Sequence, residues 1–225
     1  MHGLPAPASD AGAPPRVLHQ DEHLIVLDKP AGLLSVPGRG PDKADCLSAR
    51  AQRHWPGALV VHRLDQATSG LMLLARTPDM QRQLSDAFAQ RRVHKGYEAL
   101  VHGLLALPSD ALGGWADIRL PLAVDWPNRP RSKVCHASGK PSHTRWQPLG
   151  HDTASGYTRV ALRPVTGRSH QLRVHLQAIG HPIVGDTLYG PAGNPAPRLM
   201  LHASTLHLIH PATGWPLHCH SPVPF

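Results

Sequence analysis

Residues 61–75 read Val61-His62-Arg63-Leu64-Asp65-Gln66-Ala67-Thr68-Ser69-Gly70-Leu71-Met72-Leu73-Leu74-Ala75, a polar segment followed by an apolar run. Arg63 and Asp65 stand two residues apart and share one face if the segment is extended. The Thr68-Ser69-Gly70 sequence beside them allows a sharp turn of the backbone. The pattern predicts that Asp65 is presented in a cleft as a single ionised carboxylate. The alternative is a structural aspartate that pairs with Arg63 or caps the loop.

Length and composition limit the class of protein. A chain of 225 residues forms one sizeable domain, or at most two small ones. Residues 1–15 are rich in proline and alanine and are predicted to be a flexible tail, whereas residues 16–225 are predicted to form a single domain. No apolar run approaches the roughly 18 residues of a membrane span, so no membrane partner is expected. The three cysteines are odd in number and far apart, which indicates reduced thiols in the cytoplasm.

The charge balance favours a polyanionic partner. The chain has 23 Lys plus Arg against 15 Asp plus Glu, a formal net charge of +8, and most of the basic residues are arginine. Planar, forked guanidinium groups suit phosphate oxygens and the edges of nucleic-acid bases. A codon bias toward arginine would explain the ratio of Arg to Lys, but it would not explain the net charge. We therefore expect the protein to bind RNA or a similar polyanion.

Strands outnumber helices in the predicted organisation. Short β-type runs recur at residues 24–27, 59–61, 71–75, 97–101, 157–162 and 206–209. One helix is predicted to open with Thr77 as its N-cap and Pro78 at the first helical position, with an apolar stripe that includes Leu84. A second helix is predicted to open near Ser169 and to stop at Gly180. Few helices, and no alternation of strand and helix, favour an α+β fold around a largely antiparallel sheet.

Two further segments contain candidates for a site. Arg168 stands at the start of the second predicted helix, where a solvated surface or an anion site is the usual reading. If Arg168 instead meets Asp65, it keeps that carboxylate ionised. Tyr97 begins a predicted strand in the sequence Lys95-Gly96-Tyr97, and such a tyrosine is by default a core or edge residue. In a basic cleft its ring also offers a flat surface on which a base can stack.

The sequence predicts neither a metal site nor a cofactor. The chain has 18 histidines, but none of them shows the paired short spacings of a zinc site, and no His-Glu-x-x-His sequence occurs. The nearest approaches are His218-Cys219-His220 and the set His170, His175 and His181. A phosphate-binding glycine loop, a nucleotide fingerprint and a Gly-x-Ser-x-Gly elbow are all missing from the sequence. Nucleotide-driven chemistry and a serine hydrolase therefore have no support.

Several of these segments together resemble the motifs of the RluA family of pseudouridine synthases, in the family's order and from about Val17 onward. The matching segments are residues 29–37, 62–70, 95–97, 167–175 and 180–186. Residues 125–141 look most like the RluA type itself. Many relatives carry an N-terminal S4 RNA-binding domain, and the residues before the first predicted strand are too few for one. The resemblance implies an α+β pseudouridine synthase fold with flanking helices and a central RNA-binding cleft.

The resemblance also implies site residues. The catalytic set would be Asp65, Tyr97 and Arg168. Asp65 would attack the sugar or remove a proton from it, with Arg168 keeping it ionised and Tyr97 stacking on the uracil. Arg63 would fill the space left by the flipped nucleotide. The remaining residues expected to bind RNA are Lys29, Lys95, Gln171 and Arg173.

The expected reaction isomerises uridine to pseudouridine without a cofactor or a metal. The RluA type acts on a 23S rRNA hairpin and on the anticodon stem-loop of certain tRNAs, so these are the expected RNA partners of a cytoplasmic monomer. One alternative is a relative that modifies another rRNA or tRNA uridine, and a second is a non-catalytic RNA-binding module. A glycoside hydrolase is disfavoured, because such enzymes typically need a second carboxylic acid that the motifs do not supply.

Overall fold

The computed structural model describes residues 14–40, 43–109, 111–193 and 196–225, so most of the predicted N-terminal tail lies outside the described residues. The strands in the described residues are β1 Arg16–Gln20, β2 Leu24–Lys29, β3 Leu59–Val60, β4 Ser69–Ala75, β5 His94–His102, β6 Ala116–Ile118, β7 Leu122–Val124, β8 Ser132–Val134, β9 Thr144–Asp152, β10 Tyr157–Pro164, β11 Leu201–Ile209 and β12 Pro216–His220. The α-helices are α1 Leu47–His54, α2 Pro78–Ala89 and α3 Gln171–Ala178. Antiparallel pairing predominates, which confirms the predicted α+β class.

The chain divides into two compact units. The first unit contains Met1–Val93 and His207–Ser221, and the second contains His94–Leu206 and Pro222–Phe225. The prediction of a single domain over residues 16–225 stays a prediction.

The first unit is built on three antiparallel strands. β2 pairs with β1 on one side and with β4 on the other, and every residue of β4 is buried. Ile25, Leu27, Met72 and Leu74 of these strands form a core with the apolar side of α1. The buried apolar runs that predicted β2 and β4 thus correspond to the centre of this unit.

Of the two helices of the first unit, α2 was predicted from the sequence and α1 was not. α2 begins as predicted, because the Thr77 side chain accepts a hydrogen bond from the Met80 N–H and Pro78 occupies the first turn. α1 was not predicted from the sequence, because its buried apolar residues are only Leu47 and Ala51, too few to establish a helical period, and its N-cap is the unusual Cys46.

The second unit is a sheet covered on one face by α3. β10 pairs antiparallel with β5 and β9, and β6 pairs antiparallel with β9. Tyr97, Leu162, Trp146 and Ala116 are in register across these strands and therefore share one face. Beyond Tyr97 this face is buried. β7 and β8 form a separate two-stranded ribbon.

The contacts of residues 180–186 within the second unit explain why these residues form a distinct motif. The Val184 N–H donates to Leu100 O of β5 at 2.9 Å, and the Val184 carbonyl accepts from the Met200 N–H at 2.9 Å. Gly185 follows with a φ of +76°, and a Cβ there would lie 1.9 Å from the carbonyl oxygen of Arg198. Only glycine fits this left-handed position against the backbone.

α3 ends at Ala178, with Ile179 as its C-cap, and Gly180 follows with a φ of +86°, so the predicted stop at Gly180 lies just beyond the helix. The helix begins at Gln171 rather than near Ser169, because His170 takes a left-handed conformation with a φ of 55°. In the part of the chain that the structure describes, no helix has the length and hydropathy needed to cross a membrane.

Candidate active site

The segment that contains Asp65 is irregular but firmly attached to the first unit. The His62 ring accepts the Leu73 N–H through Nε2 at 2.9 Å, and Leu64 is buried. Ser35 Oγ both donates to Leu64 O at 2.7 Å and accepts from the Leu64 N–H at 3.0 Å. With its two neighbours facing inward, Arg63 is exposed, and Asp65 is half-buried. Ser35 thus acts as a support that the sequence analysis did not assign.

The turn next to Asp65 lies earlier than predicted. The Thr68 N–H donates to Asp65 O at 3.1 Å and closes a turn over residues 65–68. Thr68 and Ser69 are buried, and Ser69 already begins β4. The predicted turn at residues 68–70 is therefore wrong, because Gly70 pairs with Lys29 of β2 within the sheet.

Lys29 occupies the interior beside this turn. Its side chain is 0% exposed. The ammonium donates to Pro30 O at 3.0 Å, Leu33 O at 2.7 Å and Gln66 O at 3.0 Å. These contacts employ all three of its protons and attach residues 30–33 to the turn that follows Asp65. The predicted contact between Lys29 and RNA is replaced by a positioning role, since the charged group is closed off from solvent.

In the second unit, Lys95 and Tyr97 share one face of β5. Tyr97 is half-buried, and no side chain fits at Gly96 between them, because a Cβ there would lie 2.2 Å from Thr205 Oγ1. The Lys95 ammonium reaches the segment before α3, where a Cβ on Gly167 would lie 3.7 Å from Lys95 Nζ. Burial lowers the pKa of this ammonium below its ordinary value.

Gln171 fixes the backbone that presents Arg168. Gln171 Oε1 accepts from the Arg168 N–H at 3.1 Å and from Thr166 Oγ1 at 2.7 Å. Its Nε2 donates to His143 O at 2.9 Å and to Thr144 Oγ1 at 3.0 Å. The Arg168 side chain itself is exposed. Gln171 is only 4% exposed, so the predicted contact with RNA is replaced by a positioning role.

Arg173 is also an interior residue. Its guanidinium forms a bidentate ion pair with Asp186, with Nε–Oδ2 and Nη2–Oδ1 distances of 2.7 Å each. The residue is 3% exposed, so the predicted contact with RNA is not available to it in this conformation. Asp186 belongs to the motif of residues 180–186, but no role was predicted for it. The sequence signal that could have pointed to it is Arg173, a charged residue between the apolar Leu172 and Val174 in a helix, which needs a counter-charge if it is buried.

The carboxylate of Asp186 is stabilised in its charged form. Burial by itself raises the pKa of Asp186, but hydrogen bonds and charge from Arg173 and the N–H groups of Leu188 and Tyr189 outweigh it, so the pKa lies below its usual value. Oδ1 accepts the two N–H groups at 2.9 and 3.0 Å. Asp186 therefore orders the chain after residue 186 as well as α3.

Tyr189, a third residue to which the sequence gave no role, connects α3 with the ribbon. Its hydroxyl accepts the Ser132 N–H of β8 at 2.7 Å and is 2.8 Å from His170 Nδ1. The guanidinium carbon of Arg173 lies 5.0 Å from the centre of the Tyr189 ring. These contacts hold the left-handed His170 in place and thereby fix the start of α3.

Histidines that could have suggested a metal site have structural partners. His175 bonds to Thr144 Oγ1 and Leu120 O, and His181 Nδ1 lies 2.8 Å from His102 O. Within the described ranges, no three or more His, Cys, Asp or Glu side chains are grouped so that they could hold a metal ion.

The predicted residues divide between the two units. Lys29, Arg63 and Asp65 belong to the first unit, where Lys29 is joined to the turn after Asp65. Lys95, Tyr97 and Arg168 belong to the second unit, where Lys95 reaches the segment before Arg168. The pairing of Arg168 with Asp65 stays a prediction.

Comparison with known proteins finds a matching family model and relatives that are about half identical to this chain. Residues 23–178 match the family model described as RNA pseudouridylate synthase. A Yersinia pestis protein named dual-specificity RNA pseudouridine synthase RluA is 48% identical over 204 residues, covering 90% of this chain and 96% of the relative. An Escherichia coli K12 protein of the same name is 48% identical over 200 residues, covering 88% of each chain.

Solved structures agree with these sequence matches. The human protein called RNA pseudouridylate synthase domain containing 1 matches with a TM-score of 0.77 and 27% identity, covering 97% of this chain and 87% of that one. The human domain-containing 4 protein matches with a TM-score of 0.71 and 27% identity, covering 93% and 88%. The fold, the motifs and these matches together show that the chain belongs to the RNA pseudouridylate synthase family.

Proposed function

We propose that this chain isomerises uridine to pseudouridine in two RNAs, a hairpin of 23S rRNA and a tRNA anticodon stem-loop, with Asp65 as the essential carboxylate. The observation that best supports this role for Asp65 is that the backbone on both sides of it is held in place by hydrogen bonds. Ser35 and Lys29 fix the residues on either side of it, yet its own side chain is only half-buried. A carboxylate held in this way is rigid and still reachable, as a catalytic group must be.

The reaction needs no electron carrier or group donor. It breaks the bond between N1 and C1′, turns the uracil and rejoins it to the sugar through C5. Asp65 either attacks the sugar or removes a proton from it, and both routes require the ionised carboxylate. The uridine first leaves its stack, which costs a few kcal/mol and less in a loop. Arg63 is exposed two residues away and would occupy the vacated space.

Tyr97 and Arg168 complete the proposed catalytic set. The half-buried ring of Tyr97 would stack on the uracil and help to take the C5 proton, while Arg168 would keep Asp65 ionised. Gln171 supports the second role, because it fixes the Arg168 backbone while leaving the guanidinium exposed. Lys95 would add positive charge beside the same segment.

The proposal of two RNA substrates is supported by the relatives and by the ribbon of β7 and β8. The relatives carry the words dual-specificity in their names and align with nearly the whole described chain. Trp126 at the ribbon tip is 66% exposed, with the Arg129 guanidinium carbon 4.5 Å above its ring. An exposed aromatic ring with an arginine beside it suits the stacking of unpaired bases. We also propose that the chain acts as a monomer in the cytoplasm.

The two-substrate proposal is tested by release of tritium from C5-labelled uridine in two synthetic RNAs, one for each stem-loop. We expect stoichiometric release at one position in both. Release from only one RNA would contradict dual specificity. Binding without release from either would favour the non-catalytic module, and release only from total rRNA or tRNA would favour a relative with a different target.

Arg168→Ala is expected to lower kcat by about 100-fold, the usual scale for loss of one positioned charge. Rapid-quench tritium release measures the rate, and Arg168→Lys, which keeps a positive charge at this position, should recover part of it.

The matched control for this prediction is Arg82→Ala, which removes an exposed arginine of α2 paired with Asp79. We expect it to leave the rate unchanged. An Arg168→Ala variant with near wild-type activity would contradict the proposed pairing with Asp65.

A further inference from the structure

A row of charged side chains crosses three strands of the second unit. Asp117 of β6, Arg145 of β9 and Arg163 of β10 are directly in register. Arg119 follows Asp117 on the same side, and Trp115 precedes it. We name these five residues the outer arginine face: Trp115, Asp117, Arg119, Arg145 and Arg163.

This face lies on the side of the sheet opposite Tyr97. Tyr97 is in register with Leu162, and Leu162 is in register with Trp146. Arg163 and Arg145 are the next residues along their strands, and successive side chains of a strand point to opposite faces. The sheet itself therefore separates the outer arginine face from Tyr97.

The charges of this face are only partly balanced. Asp117 lies 3.9 Å from Arg119 and 3.8 Å from Arg145, and it also bonds to His143. Among residues 14–40, 43–109, 111–193 and 196–225, no carboxylate is paired with Arg163. Two like charges directly opposite each other repel, so Arg145 and Arg163 together concentrate positive charge on this face of the sheet.

Trp115 holds the two arginines on the surface. The guanidinium carbon of Arg163 lies 4.1 Å from the centre of its ring, and that of Arg145 lies 5.7 Å away. Stacking on an indole leaves the N–H groups at the guanidinium edges free to bind an anion. Two forked cations fixed side by side in this way match neighbouring phosphates of a nucleic-acid backbone.

We propose that the outer arginine face binds phosphates of substrate RNA that lies outside the target stem-loop. This inference rests on the proposed function, which supplies the RNA. A short stem-loop that delivers its uridine to Tyr97 stays on the opposite side of the sheet and does not reach this face. A longer rRNA fragment does reach it, so the face adds affinity, but no sequence preference, for the larger substrate.

The test is the double variant Arg145→Gln/Arg163→Gln with two RNAs that share one target hairpin, a bare stem-loop and a longer rRNA fragment containing it. For the long RNA we expect Kd to rise about 10-fold. The slope of log Kd against log salt should fall by the amount that corresponds to the loss of about two phosphate contacts. For the bare stem-loop, Kd and kcat stay within twofold of wild type.

The matched control is Arg53→Gln/Arg82→Gln, which likewise removes two positive charges, here from exposed arginines of the first unit. It should leave the Kd of both RNAs unchanged, which separates the effect of a local site from the effect of net charge. Arg145→Lys/Arg163→Lys keeps the charge and should give an intermediate Kd for the long RNA even if the glutamine variant folds poorly.

Equal weakening of both RNAs, or unchanged binding of the long RNA, would overturn the inference. The second result would leave an acidic protein surface as the better partner for this face. Because Kd is measured without turnover, this test can succeed even if the wild-type protein isomerises neither RNA. Failure of the proposed function would appear instead in the tritium assay.

Discussion

The Asp65→Asn variant is expected to lose tritium release by at least about 1,000-fold, because an amide neither attacks the sugar nor takes its proton at neutral pH. RNA binding should stay within several-fold of wild type. The replacement is nearly isosteric, and the supports from Ser35 and Lys29 act on neighbouring backbone atoms rather than on the carboxylate. Single-turnover release and filter binding on the same RNA separate the two effects.

Asp79→Asn is the matched control for this prediction. Asp79 is an exposed aspartate of α2 that accepts from Arg82 and Gln83, and its replacement should change neither readout. Retained turnover in Asp65→Asn would assign the chemistry to another group. A large loss of RNA binding would instead make Asp65 a structural residue of its loop, the alternative that the sequence left open.

The second large effect concerns stability. Asp186→Ala should lower the free energy of unfolding by about 3–5 kcal/mol, because it leaves the Arg173 guanidinium buried without its counter-charge. It also removes the acceptor of the Leu188 and Tyr189 N–H groups. Urea denaturation at pH 7 measures the change. A loss of less than about 1 kcal/mol would contradict the importance of this pair.

The double variant Arg173→Met/Asp186→Asn provides the control, since it removes both buried charges together while an amide oxygen at position 186 can still accept the Leu188 and Tyr189 N–H groups. Its loss of stability should be smaller than that of Asp186→Ala.

The pH dependence of stability is a further check on this pair. The pKa of Asp186 is lowered in the folded protein. Its contribution to the free energy of unfolding is therefore present above the unfolded pKa of about 3.9 and is lost as the pH falls through the folded value. The difference in the free energy of unfolding between wild type and Asp186→Ala should be constant from pH 8 to 5 and shrink below about pH 4.

Local signals accounted for the elements that the sequence predicted. α2 has its cap, its proline and its apolar stripe within a dozen residues, and β4 is a continuous buried run. α1 and the three-residue strands β6, β7 and β8 lack such a signal. The position of β6 depends on its pairing with β9, which lies farther along the chain, as Asp117 pairs with Arg145. β7 and β8 pair with each other, but three residues are too few to show an alternating pattern.

The polar residues of the motifs illustrate the same limit within the candidate site. Lys29, Gln171 and Arg173 are polar residues in motifs of an RNA-modifying family, and the sequence predicted that they touch RNA. Each instead lies in the interior with acceptors or donors supplied from elsewhere in the chain, as Gln66 does for Lys29 and Asp186 does for Arg173. Net charge identified the kind of partner, but it did not identify which charges face it.

The amino-acid sequence by itself determined the α+β class and the family, and it supplied Asp65 as the proposed catalytic carboxylate, because apolar periodicity and motif order are properties of neighbouring residues. Only the tertiary structure decided which polar side chains support the site and which are exposed. Ser35 holds Leu64 from 29 positions away, and the arginines of the outer face meet only through strand register. A partner that is distant along the chain leaves no local pattern, and burial of a charge depends on that partner.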